Sequence, residues 1–423
     1  MARHHGHSLL DLLPMPGKAA TVHPSVYAGL YLPFGAVNGY LTVAIAYQLA
    51  QAGVSAESIG ALIALYVMPQ TWKFLWAPIV DMTLSSKRWY VIGAMLSALG
   101  AVGMAVCSAR PVNFTALTVA SILASLATTL LGMAVEALIA HSTPPSQQGR
   151  AGGWLQAGNF AGSGVGGGAA LWLATHVGHA WITGAVLAAC FLLCCLGLTL
   201  ISDSHRGPRD AGIAAGTLDV LRDVWAVTRS PRGYLALLVL FLPIGSAGAS
   251  ALFSVIPDDW HTSATTVELV NGTLSGVISL LGCLAGGYLS DLINRKLAYV
   301  AYGLLLGLCA LAMALAPHDQ ANYILFVLLY SFISGVCFAG FSALTLEAIG
   351  GGAAATKYNV FACLANMPTA YLAVIEGWAR THHGVNAFLY VDFGAPILGA
   401  LIYGAAVMRS SNRGERTLKL GVS

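Results

Sequence analysis

The 423-residue chain predicts an all-α polytopic membrane protein, with twelve transmembrane helices in two pseudo-symmetric six-helix halves. Three observations carry this. Hydrophobic residues make up 57% of the sequence and charged residues 9%, whereas a soluble domain has about a quarter charged residues. Runs of roughly 20 apolar residues recur along the chain, each long enough to cross about 30 Å of hydrocarbon as a helix. Landmarks also repeat half a chain apart. Leu32-Pro33-Phe34-Gly35 and Leu242-Pro243-Ile244-Gly245, like Asp81 and Asp291, are separated by 210 residues, and Glu136-Ala137 and Glu347-Ala348 by 211. Arg150 with Lys357, and Asn159 with Asn366, share an offset of 207.

The apolar runs are continuous instead of alternating, which excludes a transmembrane barrel and leaves helices as the spanning structure. They fall at about 27–50, 57–80, 89–109, 114–140, 151–175, 180–202, 234–257, 264–290, 297–316, 322–349, 355–380 and 384–408. With a cytoplasmic N-terminus, seventeen of the twenty Lys and Arg residues lie in or beside inside segments; Arg110 and Arg380 are outside, and Lys73 is in the membrane. The expected organisation is a cytoplasmic tail (1–26), a first half (27–202), a cytoplasmic central loop (203–233), a second half (234–408) and a cytoplasmic C-terminal tail (409–423). The central loop holds five arginines and a short amphipathic candidate from Thr217 to Thr228. The first span lacks a signal-peptide cleavage pattern and is expected to be retained. The histidines of MARHHGHS fit a polar tail better than a metal site.

Composition narrows the function. A formal charge of +3 spread over short loops gives no footprint for nucleic acid. All eight cysteines fall in expected spans and read as small packing residues. There is no His-Glu-x-x-His, Gly-x-Ser-x-Gly or P-loop pattern, so no catalytic residues, metal or cofactor are assigned, and ATP drive has no motif. A secondary transporter is the leading class; a membrane enzyme or a non-transporting receptor on the same scaffold is the other. Accumulation of ligand in vesicles separates them.

The chain is organised around Gln70 to Arg88, QTWKFLWAPIVDMTLSSKR. Lys73 lies about 12 Å inside a helix end at 1.5 Å per residue, a depth at which a charge is expensive and functional by default. Its partner is either a carboxylate or phosphate of a substrate, or a buried carboxylate such as Glu136 or Asp392; desolvation otherwise favours the neutral amine. Asn38, Gln70, Gln156, Asn159 and Asn366 spread amides through both halves as a polar cavity requires, though interhelical hydrogen bonds use the same residue types. Tyr40 and Trp72 are candidates for stacking on a substrate, against simple packing. Asp392 in the last span is the buried carboxylate best suited to binding a proton, against a structural hydrogen bond to a neighbouring helix. Glu136 and Glu347 either titrate during transport or, as the favoured reading, latch the cytoplasmic gate by pairing with Lys87/Arg88 and Arg295/Lys296. Glu268 and Glu376 are expected to reach interfacial water. Gly158, Gly162 and Gly166 in span 5 permit close helix packing, and a sliding contact between halves is the sharper alternative.

An Asp followed by basic residues between the second and third spans of each half resembles the gating motif of the major facilitator superfamily. The second half has Gly287-x-x-x-Asp291-x-x-x-Arg295-Lys296, and the first keeps Asp81, Lys87 and Arg88 with Ala77 in place of the glycine. Within that superfamily, KFLWAPIVD, Glu136-Ala137, TPPSQQGRAGG, GGGAALWLA and EGWARTHHG are similar to AmpG-like permeases, a group including muropeptide permeases, acetyl-coenzyme A transporters and siderophore importers of the RhtX and FptX type. The resemblance implies alternating access, with Asp81 and Asp291 holding the cytoplasmic side shut against the N-terminal ends of spans 11 and 5. It also implies an inner-membrane symporter whose expected partners are a bulky polar, anionic metabolite, a proton and surrounding lipid, with the chain acting as a monomer. A compact twelve-span chain leans toward siderophore import, with muropeptide or acyl-coenzyme A transport as the alternative.

Overall fold

The computed structural model describes residues 23, 25–77, 80, 83–109, 111–142, 148–177, 179–201, 222, 225–226, 229–349 and 354–419. The N-terminal tail, Asp81 and most of the Thr217 to Thr228 candidate lie outside the described residues. Among the described residues the chain is helical, without strands. The first six helical segments are α1 (Ser25–Gln51), α2 (Ala56–Trp72, with a tight turn Lys73–Leu75), α3 (Ser86–Ser108), α4 (Phe114–Ser142), α5 (Gln148–Gly164, continuing to His176) and α6 (Ala180–Cys194, continuing to Leu200). The second six are α7 (Pro231–Phe241), α8 (Ala264–Val267, continuing to Leu292), α9 (Arg295–Leu315), α10 (Gln320–Ile349), α11 (Ala354–His383) and α12 (Ala387–Lys419).

Helix starts follow capping chemistry. Ser55, Ser85 and Ser263 each accept a hydrogen bond from the backbone N–H three residues on, and Asn294 accepts from Lys296 and Leu297. Ser230 caps α7 ahead of Pro231, where a missing N–H costs nothing. Large apolar side chains such as Leu99, Leu284 and Leu315 remain exposed around the bundle, as lipid-facing positions require.

The pairing of helices repeats six positions apart. The pairs α1–α5, α2–α4, α3–α4 and α3–α6 in the first half recur as α7–α11, α8–α10, α9–α10 and α9–α12 in the second. Between halves, α2 packs on α11 and α5 on α8. Chain direction puts the connections 52–55, 257–263 and 384–386 at one end of the bundle, here called distal, opposite the end bearing the termini.

Two expected spans differ from a plain helix. The span expected at about 234–257 is helical only to Phe241; Leu242 to Trp260 runs in turns and short tight helices. Pro243 disfavours helical backbone at Leu242 and cannot donate to the ladder. The following Gly245-Ser246-Ala247-Gly248 run then offers poor helix formers. Ala247 takes a left-handed conformation (φ 52°), a backbone state costing a non-glycine residue roughly 1 kcal/mol. The matching Pro33 stays inside α1, so the shared tetrapeptide does not decide the break; the residues after it differ. In α2, the helix tightens at Lys73–Leu75, before Pro78, which cannot donate a hydrogen bond to the preceding turn.

Nine described helices are long and apolar enough to cross a membrane by length and composition. The segments outside that set are α2, of 17 residues, α7, of 11, and the glycine-rich α5. Of these, α2 and α5, together with the stretch that follows α7, carry much of the polar lining described next.

Candidate functional site

A central cavity of about 280 Å3 lies between the two halves. Asn38 from α1, Gln70 and Lys73 from α2, Glu136 from α4, Gln156 and Asn159 from α5 and Asn366 from α11 all line it. The spread of amides seen in the sequence therefore converges on one space. Asn159 Nδ2 donates to Gln156 Oε1 at 3.3 Å, one helical turn away. The unwound stretch after α7 adds Ser246 and Ser250, and α10 and α11 add Tyr330 and Thr369. Hydropathy marks none of these four: the break after Phe241 turns residues 246 and 250 toward the cavity, and Tyr330 and Thr369 lie on regular helices whose inward face an apolar run does not reveal.

Tyr40 and Trp72 do not line the cavity. Tyr40 is packed in the core of the first half, and Trp72 is 48% exposed on the outside of the bundle. Stacking on a cavity-bound substrate is not open to either in this arrangement. One residue after Trp72, the chain turns inward and Lys73 is 5% exposed.

Lys73 Nζ lies 3.0 Å from Glu136 Oε1, and the two side chains are 6% and 10% exposed. Tyr31 Oη is 3.5 Å from the same oxygen. The structure thus corrects the favoured pairing of Glu136 with Lys87 and Arg88. Arg88 is exposed and Lys87 half-buried at the start of α3, whereas Glu136 faces the cavity on α4. In the second half, Arg295 and Lys296 open α9, and the side chains of Glu347 and Asp291 lie outside the described residues.

Glu268 and Glu376, expected in interfacial water, are 7% and 0% exposed. Glu268 is covered where α5 crosses α8 and accepts a hydrogen bond from Thr175 Oγ1 at 2.8 Å. Glu376 is enclosed by α11's packing on α2 and by the unwound stretch, where a Cβ on Gly248 would lie 2.4 Å from Glu376 Oε1. Asp392 is 4% exposed and accepts from Tyr330 Oη at 2.7 Å and from the Ala249 backbone N–H at 3.3 Å.

The distal end is where polar links between halves gather among the described residues. Gln51 Nε2 donates to the Asp258 carboxylate at 3.0 and 3.3 Å, and the Glu57 backbone N–H donates to Thr381 Oγ1 at 3.0 Å. Close backbone contact accompanies them: a Cβ on Gly272 would fall 2.3 Å from Gly168 Cα. Gly158, Gly162 and Gly166 instead meet Ala28, Leu32 and Ala36 of α1, so that row packs within the first half. Gly164 and Gly168, each two residues after a glycine of that row, face α8 of the second half. The eight cysteines are free thiols, and no cluster of metal-ligating side chains occurs among the described residues.

Comparison with known proteins agrees with this architecture. The model for the Major Facilitator Superfamily matches residues 27–373. The chain is 23% identical over 396 residues to an anhydromuropeptide permease of Escherichia coli (strain K12), covering 89% of this chain and 78% of the permease. Among solved structures, a variant of the nucleoside transporter NupG aligns with TM-score 0.67 at 14% identity, over 90% of this chain and 98% of that one. The xylose transporter XylE of E. coli, in a partially occluded inward-open conformation, aligns with TM-score 0.68 at 15% identity, over 89% and 96%. Two six-helix halves around a polar cavity and the family match over residues 27–373 together place the chain in the Major Facilitator Superfamily.

Proposed function

We propose that the protein is a proton-coupled secondary transporter importing a bulky, polar, carboxylate-bearing solute of the muropeptide class across the inner membrane, with both termini cytoplasmic. The observation that carries this reading is the central cavity, walled by amides and hydroxyls from both halves and holding the Lys73–Glu136 pair. Amides and hydroxyls suit a sugar and peptide backbone, which need many directional hydrogen bonds. The pair supplies a charge that is balanced until a solute competes for it. A substrate carboxylate can take Lys73 from Glu136, since it offers the ammonium the same charge-assisted hydrogen bond. Asn38, Gln70, Gln156, Asn159 and Asn366 are the proposed orienting contacts.

The anhydromuropeptide relative supports the substrate class. Siderophore import is the second reading, favoured by one observation: the cavity cation Lys73 suits any bulky polar solute that carries an anionic group. Uptake by proteoliposomes separates the two, using labelled anhydromuropeptide and a labelled ferric siderophore under an imposed proton gradient. Accumulation of the first and not the second is expected. Accumulation of the siderophore alone would replace the substrate assignment, and saturable binding of either without accumulation would make the protein a receptor.

A further inference from the structure

The Lys73–Glu136 pair leaves unused a second set of ionisable groups, buried behind the cavity wall in the second half. Glu376 is fully buried, and no donor reaches either of its carboxyl oxygens. Its neighbour is the carboxyl group of Asp392: the two meet the same point of the unwound stretch, where the Ala249 N–H donates to Asp392 Oδ1 at 3.3 Å and a Cβ on Gly248 would lie 2.4 Å from Glu376 Oε1. Two neighbouring carboxylate oxygens can be joined by a hydrogen bond only through a proton. The groups facing the pair are Tyr330 and Cys337 on α10, Cys309 on α9 and the Ala249 N–H of the unwound stretch. Arg380 lies one turn beyond Glu376 on α11 but is engaged by Asp259, and Glu57 and His382 meet further out at the distal end. With no cation against the pair among the described residues to offset a second negative charge, one proton held between two carboxyls is the state that burial permits.

We propose that Glu376 and Asp392 form a shared-proton site that couples transport to the proton gradient, with Tyr330 linking the site to the cavity. This rests on the proton-coupled reading above and places the coupling proton in the second half, away from Glu136. Tyr330 touches the cavity and donates to Asp392 Oδ2, so a solute that draws on the tyrosine hydroxyl removes one of the two donors stabilising the Asp392 carboxylate. The unwound stretch supplies the other donor and, at Gly248, the backbone against Glu376. Movement of that stretch during alternating access therefore changes how many donors the pair has, and with it the occupancy by a proton. The neighbouring groups donate to Asp392 instead of turning lone pairs toward a common point, which favours a proton over a metal cation.

Glu376→Gln tests this, because its amide can donate to Asp392 and so imitates the protonated pair without releasing a proton. Infrared difference spectra of the purified full-length protein, recorded across a pH titration, read the site without any substrate. A protonated-carboxyl band present in the wild type and lost in Glu376→Gln is expected, and a band unchanged in both Glu376→Gln and Asp392→Asn overturns the proposal. A band that responds to added sodium overturns it in favour of a cation site. In proteoliposomes, Glu376→Gln should lose uphill accumulation of anhydromuropeptide while retaining substrate exchange; retained uphill accumulation overturns the coupling role. Absence of uptake in the wild type would count against the transport reading alone. Tyr330→Phe serves as a second variant, expected to shift the titration of the band, and no shift removes Tyr330 from the site.

Discussion

Lys73 Nζ donates to Glu136 Oε1 at 3.0 Å, joining the end of α2 to α4, the helix that carries the first copy of the repeated Glu-Ala pair. An ammonium at this depth is balanced by the protein itself, and any anionic solute must compete with an internal carboxylate. That competition gives specificity through a difference of affinities.

Removing one partner should be worse than removing both. Lys73→Met leaves a nearly buried carboxylate without its cation, and Glu136→Gln leaves the ammonium; each is expected to lower stability by about 3 kcal/mol. The double variant Lys73→Met/Glu136→Gln should recover most of that loss. Thermal unfolding of all four proteins in one detergent measures the coupling, and a double variant no more stable than the single ones would show that the pair does not hold the bundle together.

Transport should separate from stability in the same set. If Lys73 is taken over by a substrate carboxylate, the double variant is folded yet binds anhydromuropeptide more weakly, on the order of 10-fold for one charge-assisted hydrogen bond. Titration of binding by the purified double variant checks this, and wild-type affinity would remove Lys73 from the substrate contacts.

Topology is tested independently. Reporter fusions after residue 205 and after residue 419 should both signal a cytoplasmic location, while a fusion at residue 318 should signal the opposite face. A non-cytoplasmic signal from the central connection would overturn both the orientation and the assignment of the basic loops to the inside.

Much of this architecture was legible because membrane physics constrains it strongly. A continuous apolar run has few alternatives, and a repeat offset seen at Asp81/Asp291 and Asn159/Asn366 could be read without any contact. Convergence of Asn38, Gln156, Asn159 and Asn366 on one cavity followed from the same pattern. What hydropathy could not show was direction around a helix. Trp72 and Lys73 are adjacent in sequence, yet one faces out and the other in, and Tyr40 points into the core. Glu268 and Glu376 were misplaced in water because distance from a helix end says nothing of what covers that end. The break after Phe241 was hidden because Leu-Pro-x-Gly occurs in both halves and only one of them unwinds.

Asp81 and Asp291 are proposed to close the terminal end against the positive N-terminal ends of α11 and α5. Each contact is worth about 1 kcal/mol, which moves a two-state population roughly fivefold. Asp291→Asn should therefore raise the accessibility of cavity positions from the terminal side by that factor and slow turnover. Labelling of a reporter cysteine at Asn366, compared between the two backgrounds, provides the measurement; equal labelling rates would remove Asp291 from the gate.

The distal end offers the opposing test. Thr175 Oγ1 donates to the buried Glu268 carboxylate across the α5–α8 crossing, at a place where Gly168 and Gly272 bring the two backbones together. A hydrogen bond to a charged acceptor contributes about 1.5 kcal/mol, or roughly tenfold in a two-state population. Thr175→Val keeps the side-chain shape but removes this donor, so it should shift the protein toward the distal-open state by about that factor. Gly272→Val acts on the same crossing by a different route, since its Cβ would fall 2.3 Å from Gly168 Cα and the helices must separate to admit it. The shift should therefore be larger in Gly272→Val than in Thr175→Val. Labelling a reporter cysteine at Ser250 from the distal side ranks the two variants against the wild type. If Gly272→Val labels no faster than the wild type, the α5–α8 crossing is not the element that closes this end.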